Sequence, residues 1–157
     1  METTIDYNNQ KPKHQDVSIS PMHTAEHILN QTMVRMFGCP RSRNSHIERK
    51  KSKCDYLLDT APSAETLTEI ENRVNEIIKQ NLPVREEFVT QDNIPPGVDL
   101  SKLPEDVSET LRLVTIGDYD ICACIGRHVS STAEIGTFKI ISSDFADGKL
   151  RIRFKLL

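Results

Sequence analysis

Apolar residues recur at helical spacing in the segment between Ser20 and Gly38. They lie three or four positions apart, as on one face of an α-helix: Ala25, Ile28, Leu29, Thr32, Met33, Met36 and Phe37. Ser20 suits the N-cap, Pro21 suits the first helical position and Gly38 suits the C-terminal end. The pattern therefore predicts a helix of about five turns.

A second amphipathic pattern follows in "APSAETLTEIENRVNEIIKQN", residues 61–81. One face of this segment carries Leu67, Ile70, Val74, Ile77 and Ile78. Thr60 and Ser63 are both candidate caps. The segment is predicted to form the second long helix.

The remaining apolar runs are short and are separated by turn residues, which indicates strands. Expected strands are 54–59, 83–90, 110–117, 119–124, 136–145 and 149–157. Gly117-Asp118 and Asp147-Gly148 mark tight turns, and the Pro-rich segment 91–108 is a connection with one helical turn near Glu105. The predicted fold class is α+β, with two long helices packed on a mainly antiparallel sheet.

The length of 157 residues suits one compact domain. Residues 1–17 lack apolar periodicity and are expected to form a flexible lead-in, so the domain spans 18–157. No apolar run is long enough for a bilayer and no basic, apolar leader is present, so we expect a cytoplasmic protein without a membrane partner. Reduced thiols are then expected, and Cys39 and Cys54 are interpreted as core residues.

Positive charge is concentrated in two stretches, although the net charge is −3. Residues 41–53 contain six Lys or Arg and one acid, and residues 149–155 contain four Lys or Arg and no acid. Such clustering is typical of a protein that binds a phosphate backbone. The alternative is a solvated face, or an edge strand protected by charge.

Two pairs of metal-ligating residues occur at the same interval. His23 and His27 share a face of the first helix, and Cys124 and His128 follow a predicted strand. A thiolate with imidazoles is a donor set that zinc prefers, ahead of copper or iron. Four unrelated core residues are the alternative, and Cys122 is interpreted as a buried apolar residue.

Several of these segments resemble one family. "HTAEHIL" and "CIGRHVSSTAEIGTFKI" are similar to the HxxxH and CGGTHV…TGEIGxFKI motifs of alanyl-tRNA synthetase editing domains and of free-standing alanyl-tRNA editing proteins. "IENRVNEIIKQNLPV" and "LRLVTIGDYDICAC" extend the resemblance over residues 20–157. The threonyl-tRNA synthetase editing domain has a similar motif pair, but "AEIGTFKI" favours the alanyl branch.

The resemblance implies a zinc-dependent hydrolase that acts in trans on the acceptor end of mischarged tRNA, removing serine or glycine from tRNA(Ala). His23, His27, Cys124 and His128 would be the zinc ligands, with water able to take one position. The catalytic group would be the zinc-bound water, with no side chain assigned. Domain 18–157 would then be a single zinc-binding, editing-like domain.

The sequence also departs from the family motifs. CGGTH becomes Cys124-Ile125-Gly126-Arg127-His128, TGEIG becomes residues 132–136 with Ala133, and the family's Q-K-G-S segment corresponds to residues 42–45. Gly126, Arg127 and Ser45 are therefore the candidate substrate-binding residues. Arg127 either clamps a phosphate or carboxylate or points into solvent.

Candidate tRNA contacts lie in the basic stretches and on a predicted strand: Arg49, Lys50, Lys51, Lys53 and Lys139. Because the loop departs from the motif, three alternatives stay open. One is a non-catalytic, zinc-stabilised module that binds RNA or a small ligand. Another is an enzyme for a small ester or amide without an RNA partner, and the last is threonyl-type editing of seryl-tRNA(Thr).

Overall fold

The computed structural model describes residues 16–98 and 110–157. Most of the expected lead-in and the predicted helical turn near Glu105 lie outside these residues. The first long helix, α1, is Ser20–Phe37 and the second, α2, is Ala64–Lys79. The strands are β1 Asn44–His46, β2 Ser52–Leu57, β3 Val84–Thr90, β4 Thr110–Ile116, β5 Asp120–Ala123, β6 Phe138–Ala146 and β7 Lys149–Leu156.

The α+β prediction is confirmed, and the strands divide into two antiparallel sheets. One sheet has the order β1-β2-β7-β6, and the other has the order β3-β4-β5. The turn between β6 and β7 is at the predicted place. Its residues Asp147 and Gly148 have positive φ values, 54° and 74° respectively. Strand β1 was not predicted, because Asn44, Ser45 and His46 carry no apolar alternation.

Two of the three predicted helix ends agree with the structure. Gly38 adopts φ 67° and its N–H closes α1 on the Val34 carbonyl, and Ser63 caps α2 by accepting from the Thr66 N–H at 3.1 Å. The prediction of Ser20 as the N-cap of α1 was wrong. A 3-10 turn at Val17–Ile19, capped by Asp16, precedes the helix and makes Ser20 its first residue.

The core lies between the two helices and the four-stranded sheet. Its fully buried side chains include Ile28 and Leu29 of α1, Ile70 and Val74 of α2, and Phe154 of β7. Cys39 and Cys54 are also buried in it. However, α1 buries polar as well as apolar residues, namely His23, Thr24, Glu26, His27 and Asn30. Burial of polar groups is costly unless they have partners, so this side of α1 indicates a functional site.

Candidate metal centre

Three imidazole rings meet at the first turns of α1. His23 and His27 lie one helical turn apart, with ring centroids separated by 5.0 Å. The ring of His128 lies against both of them, at 4.3 Å from His23 and 4.4 Å from His27. The i, i+4 spacing therefore puts the two α1 histidines on the same face of the helix, and His128 packs against both of them.

Cys124 completes the cluster from the loop that follows β5. Its N–H donates to the Arg112 carbonyl at 3.1 Å, which extends the β4–β5 pairing by one residue. Its Sγ lies 3.5 Å from His23 Nε2 and 3.7 Å from His128 Nε2. One ligand atom from each of His23, His27, Cys124 and His128 lies within 4.8 Å of the others. The structure thus brings the four predicted residues together.

The second ring nitrogen of each histidine faces a polar group of the protein. His23 Nδ1 lies 3.2 Å from the Arg127 carbonyl oxygen, and His128 Nδ1 lies 2.9 Å from Thr24 Oγ1. His27 Nδ1 lies 3.7 Å from Asp120 Oδ2. Such partners fix the orientation of metal-ligating imidazoles. The Nε2 atoms of His23 and His128 accordingly face the Cys124 thiol.

These residues fit a zinc ion. Tetrahedral zinc with Zn–N of about 2.0 Å and Zn–S of about 2.3 Å separates its nitrogen and sulfur ligands by roughly 3.6 Å. The nitrogen–sulfur distances of 3.5 and 3.7 Å agree with that separation. Cys122 is fully buried outside the cluster and its Sγ lies 3.5 Å from the Ala123 carbonyl, in agreement with its interpretation as a core residue.

Asp120 supports the cluster, and sequence reasoning missed it. Its carboxylate accepts from Arg41 Nη1 at 2.6 Å and from Gln31 Nε2 at 2.9 Å, next to His27. The Asp120 side chain is fully buried and that of Arg41 is 8% exposed. A signal was present in the sequence, because strand alternation puts Asp120 on the same side as Cys122 and Cys124.

Gly126 is needed where the loop passes His23. A Cβ at position 126 would stand 2.1 Å from His23 Cε1. The Gly126 N–H donates to Cys124 Sγ at 3.4 Å, and its carbonyl accepts from the guanidinium of Arg112. These contacts hold the loop against the histidines. A residue larger than glycine does not fit at position 126, because its side chain would clash with His23.

Arg127 and Ser45 occupy different surroundings. The Arg127 side chain is exposed, while its carbonyl faces His23. Ser45 belongs to β1, and its hydroxyl donates to Ser42 Oγ at 3.0 Å. Ser42 is joined to α1, because its N–H donates to Asn30 Oδ1 at 3.4 Å. The substrate-binding roles of Gly126, Arg127 and Ser45 stay predictions.

The predicted tRNA contacts lie on the four-stranded sheet and beside it. Lys53 on β2 stands opposite Arg153, and Lys139 on β6 stands opposite Lys155. Lys50, Lys51 and Lys53 line a groove of about 400 Å³ that also includes His46 and Arg153. Arg49 is exposed in the same β1–β2 connection.

Two of the sheet arginines are held by acids. Arg151 donates to both Asp55 oxygens at 2.8 and 3.0 Å, and this hydrogen bonding holds the pKa of Asp55 below its usual value. Arg153 binds Asp144 at 2.6 Å on the exposed face.

Among the described residues, no helix is long and apolar enough to span a membrane.

Comparison with known proteins identifies relatives of this chain. The profile of the "Threonyl and Alanyl tRNA synthetase second additional domain" matches residues 111–153. An alanine–tRNA ligase of Pseudoalteromonas translucida is 35% identical over 136 residues, which are 85% of this chain and 16% of that enzyme. The alanine–tRNA ligase of Caldicellulosiruptor saccharolyticus is 32% identical over 155 residues, covering 96% of this chain and 18% of that enzyme.

A third relative, the alanine–tRNA ligase of Methylacidiphilum infernorum, is 36% identical over 126 residues, or 78% of this chain and 14% of that enzyme. The chain thus spans less than a fifth of the length of these curated relatives. The profile match over residues 111–153 includes β5, the loop with Cys124 and His128, and all of β4 except its first residue. The profile match and the relatives show that the chain is related to alanine–tRNA ligases and to the second additional domain of threonyl- and alanyl-tRNA synthetases.

Proposed function

We propose that this protein is a cytoplasmic, zinc-dependent hydrolase that acts in trans on mischarged aminoacyl-tRNA, with seryl- or glycyl-tRNA(Ala) as substrate. The observation that carries the proposal is the cluster of His23, His27, Cys124 and His128 in a chain with these relatives. The cluster has the donor types and the nitrogen–sulfur distances that suit zinc. The alanine–tRNA ligases among its relatives favour tRNA(Ala) over tRNA(Thr).

In this proposal, the four side chains hold zinc, which supplies a Lewis acid that polarises a carbonyl and favours deprotonation of water. The protein contributes orientation, since Thr24 Oγ1 and the Arg127 carbonyl lie within hydrogen-bond distance of His128 and His23. Asp120 lies 3.7 Å from His27 on the third side. Fixed donors lower the barrier because they need no rearrangement during the reaction.

The loop at 125–128 is the side from which we expect the substrate to approach. His23, His27 and Cys124 are buried, whereas His128 is partly exposed. Ile125 is 41% exposed and Arg127 is also exposed on this loop. A guanidinium there suits the phosphate that precedes the terminal adenosine of a tRNA.

The basic face of the sheet supports an RNA partner. Like charges directly opposite each other destabilise a strand pair, and Lys139–Lys155 has this arrangement. Lys53 also stands opposite a cation, Arg153, although Asp144 already balances part of the charge of Arg153. A phosphate backbone would relieve the repulsion and release its counterions. We therefore assign this face to the body of the tRNA.

The decisive experiment measures deacylation of seryl-tRNA(Ala), glycyl-tRNA(Ala) and seryl-tRNA(Thr) by the zinc-loaded protein. Release of serine or glycine from tRNA(Ala) is expected, with a rate at least 100-fold lower in Cys124→Ala. Cys122→Ala is the matched control, because this thiol is buried two residues away but lies outside the cluster. Equal rates for wild type and Cys124→Ala would contradict the proposal.

A second candidate is a zinc-stabilised module that binds tRNA without hydrolysing it. The observation in its favour is the set of four protein donors, since structural zinc sites are closed and catalytic sites keep one position open. This candidate predicts tRNA affinity that falls steeply with salt concentration, together with an unchanged ester half-life. Multiple turnovers would exclude it.

A further inference from the structure

An exposed phenylalanine lies at the edge of the three-stranded sheet. Phe88 of β3 is 69% exposed, and no other phenylalanine or tyrosine among the described residues is exposed. Strand β3 is at an edge, because its sheet has the order β3-β4-β5. Proteins usually protect such edges with charged residues, since exposed apolar side chains there favour aggregation. The ring of Phe88 is therefore a candidate binding group.

The register of the sheet puts Phe88 in one row with Cys124. Phe88 stands opposite Arg112 of β4, and the Cys124 N–H donates to the Arg112 carbonyl at 3.1 Å. Side chains that stand opposite each other on antiparallel strands project from the same face of the sheet. Neighbouring strands are about 4.8 Å apart, so the backbone of Phe88 lies about 10 Å from that of Cys124. The ring is thus on the face that carries the cluster, two strand spacings away.

Arg112 links Phe88 to the loop at 125–128. Its guanidinium donates to the Gly126 carbonyl, and its side chain is only 14% exposed. Ile125, the neighbour of Gly126, is 41% exposed. Phe88 and Ile125 are therefore exposed apolar side chains that are connected through Arg112. Both lie on the side from which we expect the substrate to approach.

The surface at Phe88 suits a nucleobase better than a phosphate. Glu86 lies two residues before Phe88 on the same face of β3 and is exposed, so its charge repels a phosphate. The cation beside the ring, Arg112, is already engaged by the Gly126 carbonyl and by Glu86 Oε1 at 3.8 Å. An aromatic ring needs no charge to hold a base, because every base has a π face on which it stacks.

The distance from the cluster indicates which base this is. In the proposed function the ester carbonyl lies at the cluster, and one ribose joins it to the terminal adenine. Every other base of the tRNA is at least one nucleotide farther from the ester. A separation of about 10 Å between Phe88 and Cys124 leaves room for an ester, a ribose and a base in succession.

We propose that Phe88 is the stacking platform for the terminal adenine of the aminoacyl-tRNA, an assignment that rests on the proposed function. The ring contacts the face of the base and not its hydrogen-bonding edge, so it supplies affinity without choosing among bases. Because the ribose joins the base to the ester, a base held on Phe88 also limits where the ester lies relative to the cluster. Phe88 is thus a binding residue with no part in proton transfer.

The test compares the affinities of the zinc-loaded protein for two non-hydrolysable ligands, measured by calorimetric titration. One is the amide analogue of seryl-adenosine, and the other is the same seryl amide on a ribose without a base. Wild type is expected to bind the adenine ligand roughly 5- to 150-fold more tightly, the range that one stacked base contributes. Phe88→Ala is expected to bind both ligands equally, and Phe88→Trp to keep the preference. Leu57→Ala, which truncates a 61% exposed side chain on the other sheet, is the matched control and is expected to behave as wild type.

A fluorescent ligand separates stacking from a structural role of the ring. The adenine of the seryl amide is replaced by a fluorescent purine whose emission falls when its ring stacks. At saturating protein, quenching is expected with wild type and Phe88→Trp but not with Phe88→Ala. A loss of stability alone does not change the emission of bound ligand.

The contrary results separate the platform from the proposed function. Equal affinity of wild type for the two ligands overturns the platform, and so does an adenine preference that survives in Phe88→Ala. Hydrolysis of seryl-tRNA(Ala) by wild type leaves the proposed function intact in both cases. A wild-type dimer that Phe88→Ala dissociates, measured by sedimentation, assigns the ring to a second copy of the chain and also overturns the platform.

A wild-type protein that is inert towards every aminoacyl-tRNA contradicts the proposed function itself. The binding measurements still decide the platform, because neither ligand is hydrolysed. An adenine preference that is lost in Phe88→Ala then supports a stacking site in a protein that binds the tRNA end without cleaving it.

Discussion

At the scale of single residues, the position of Asp120 predicts that its carboxylate orients His27. The carboxylate is fixed by the guanidinium of Arg41 and the amide of Gln31, and it faces His27 Nδ1 at 3.7 Å. Loss of such a carboxylate behind a metal-ligating imidazole lowers metal affinity about 10- to 100-fold. We expect this loss of zinc affinity in Asp120→Asn, measured by chelator competition.

The control for this change is Asp144→Asn, which removes a carboxylate that binds Arg153 on the exposed sheet face. Its zinc affinity is expected to equal that of wild type. Thermal unfolding of both metal-free variants separates lost orientation from lost stability, because Asp120→Asn also weakens the buried pair with Arg41. Zinc affinity within threefold of wild type in Asp120→Asn would refute the role.

At the scale of elements, the loop between β5 and the 3-10 turn at Thr132–Ile135 joins the β3-β4-β5 sheet to α1. Arg112 of β4 donates to the Gly126 carbonyl, and His23 of α1 meets the Arg127 carbonyl. Gly126→Ala puts a methyl group where His23 Cε1 now lies. We therefore expect His23 to be displaced and zinc affinity to fall at least tenfold, measured by calorimetric titration.

Ile125→Ala is the matched control for Gly126→Ala, because it truncates an exposed side chain in the same loop. It is expected to bind zinc as wild type does. A Gly126→Ala protein with unchanged affinity would mean that the loop moves away from His23 at little cost.

The elements also show what the sequence could predict. The helices were predictable because their apolar faces are long and regular, as with Ile70, Val74 and Ile78. The division into two sheets was not, because strand alternation indicates which face is buried but not which strand is the neighbour. The Cys124–His128 interval pointed to the cluster, whereas Asp120 and Glu26 resembled ordinary charged residues until their burial was known.

At the scale of the whole molecule, the cluster joins segments about a hundred residues apart in sequence, α1 and the loop after β5. A ligand that binds only the folded state stabilises it by mass action, by about 4 kcal/mol at a thousand times its Kd. For a chain of this length, that corresponds to a rise in Tm of roughly 8 to 16 °C. We expect this rise when zinc is added to the metal-free protein, measured by calorimetry.

The same experiment has two internal controls. Magnesium is expected to leave Tm unchanged, because it prefers oxygen ligands and the cluster offers nitrogen and sulfur. Cys124→Ala is expected to lose most of the zinc-dependent rise, and Cys122→Ala to retain it, since only Cys124 belongs to the cluster among these two thiols. A wild-type Tm that does not respond to zinc would remove the basis for a zinc centre at this site, whatever the hydrolytic activity, because tight binding to the native state must raise Tm.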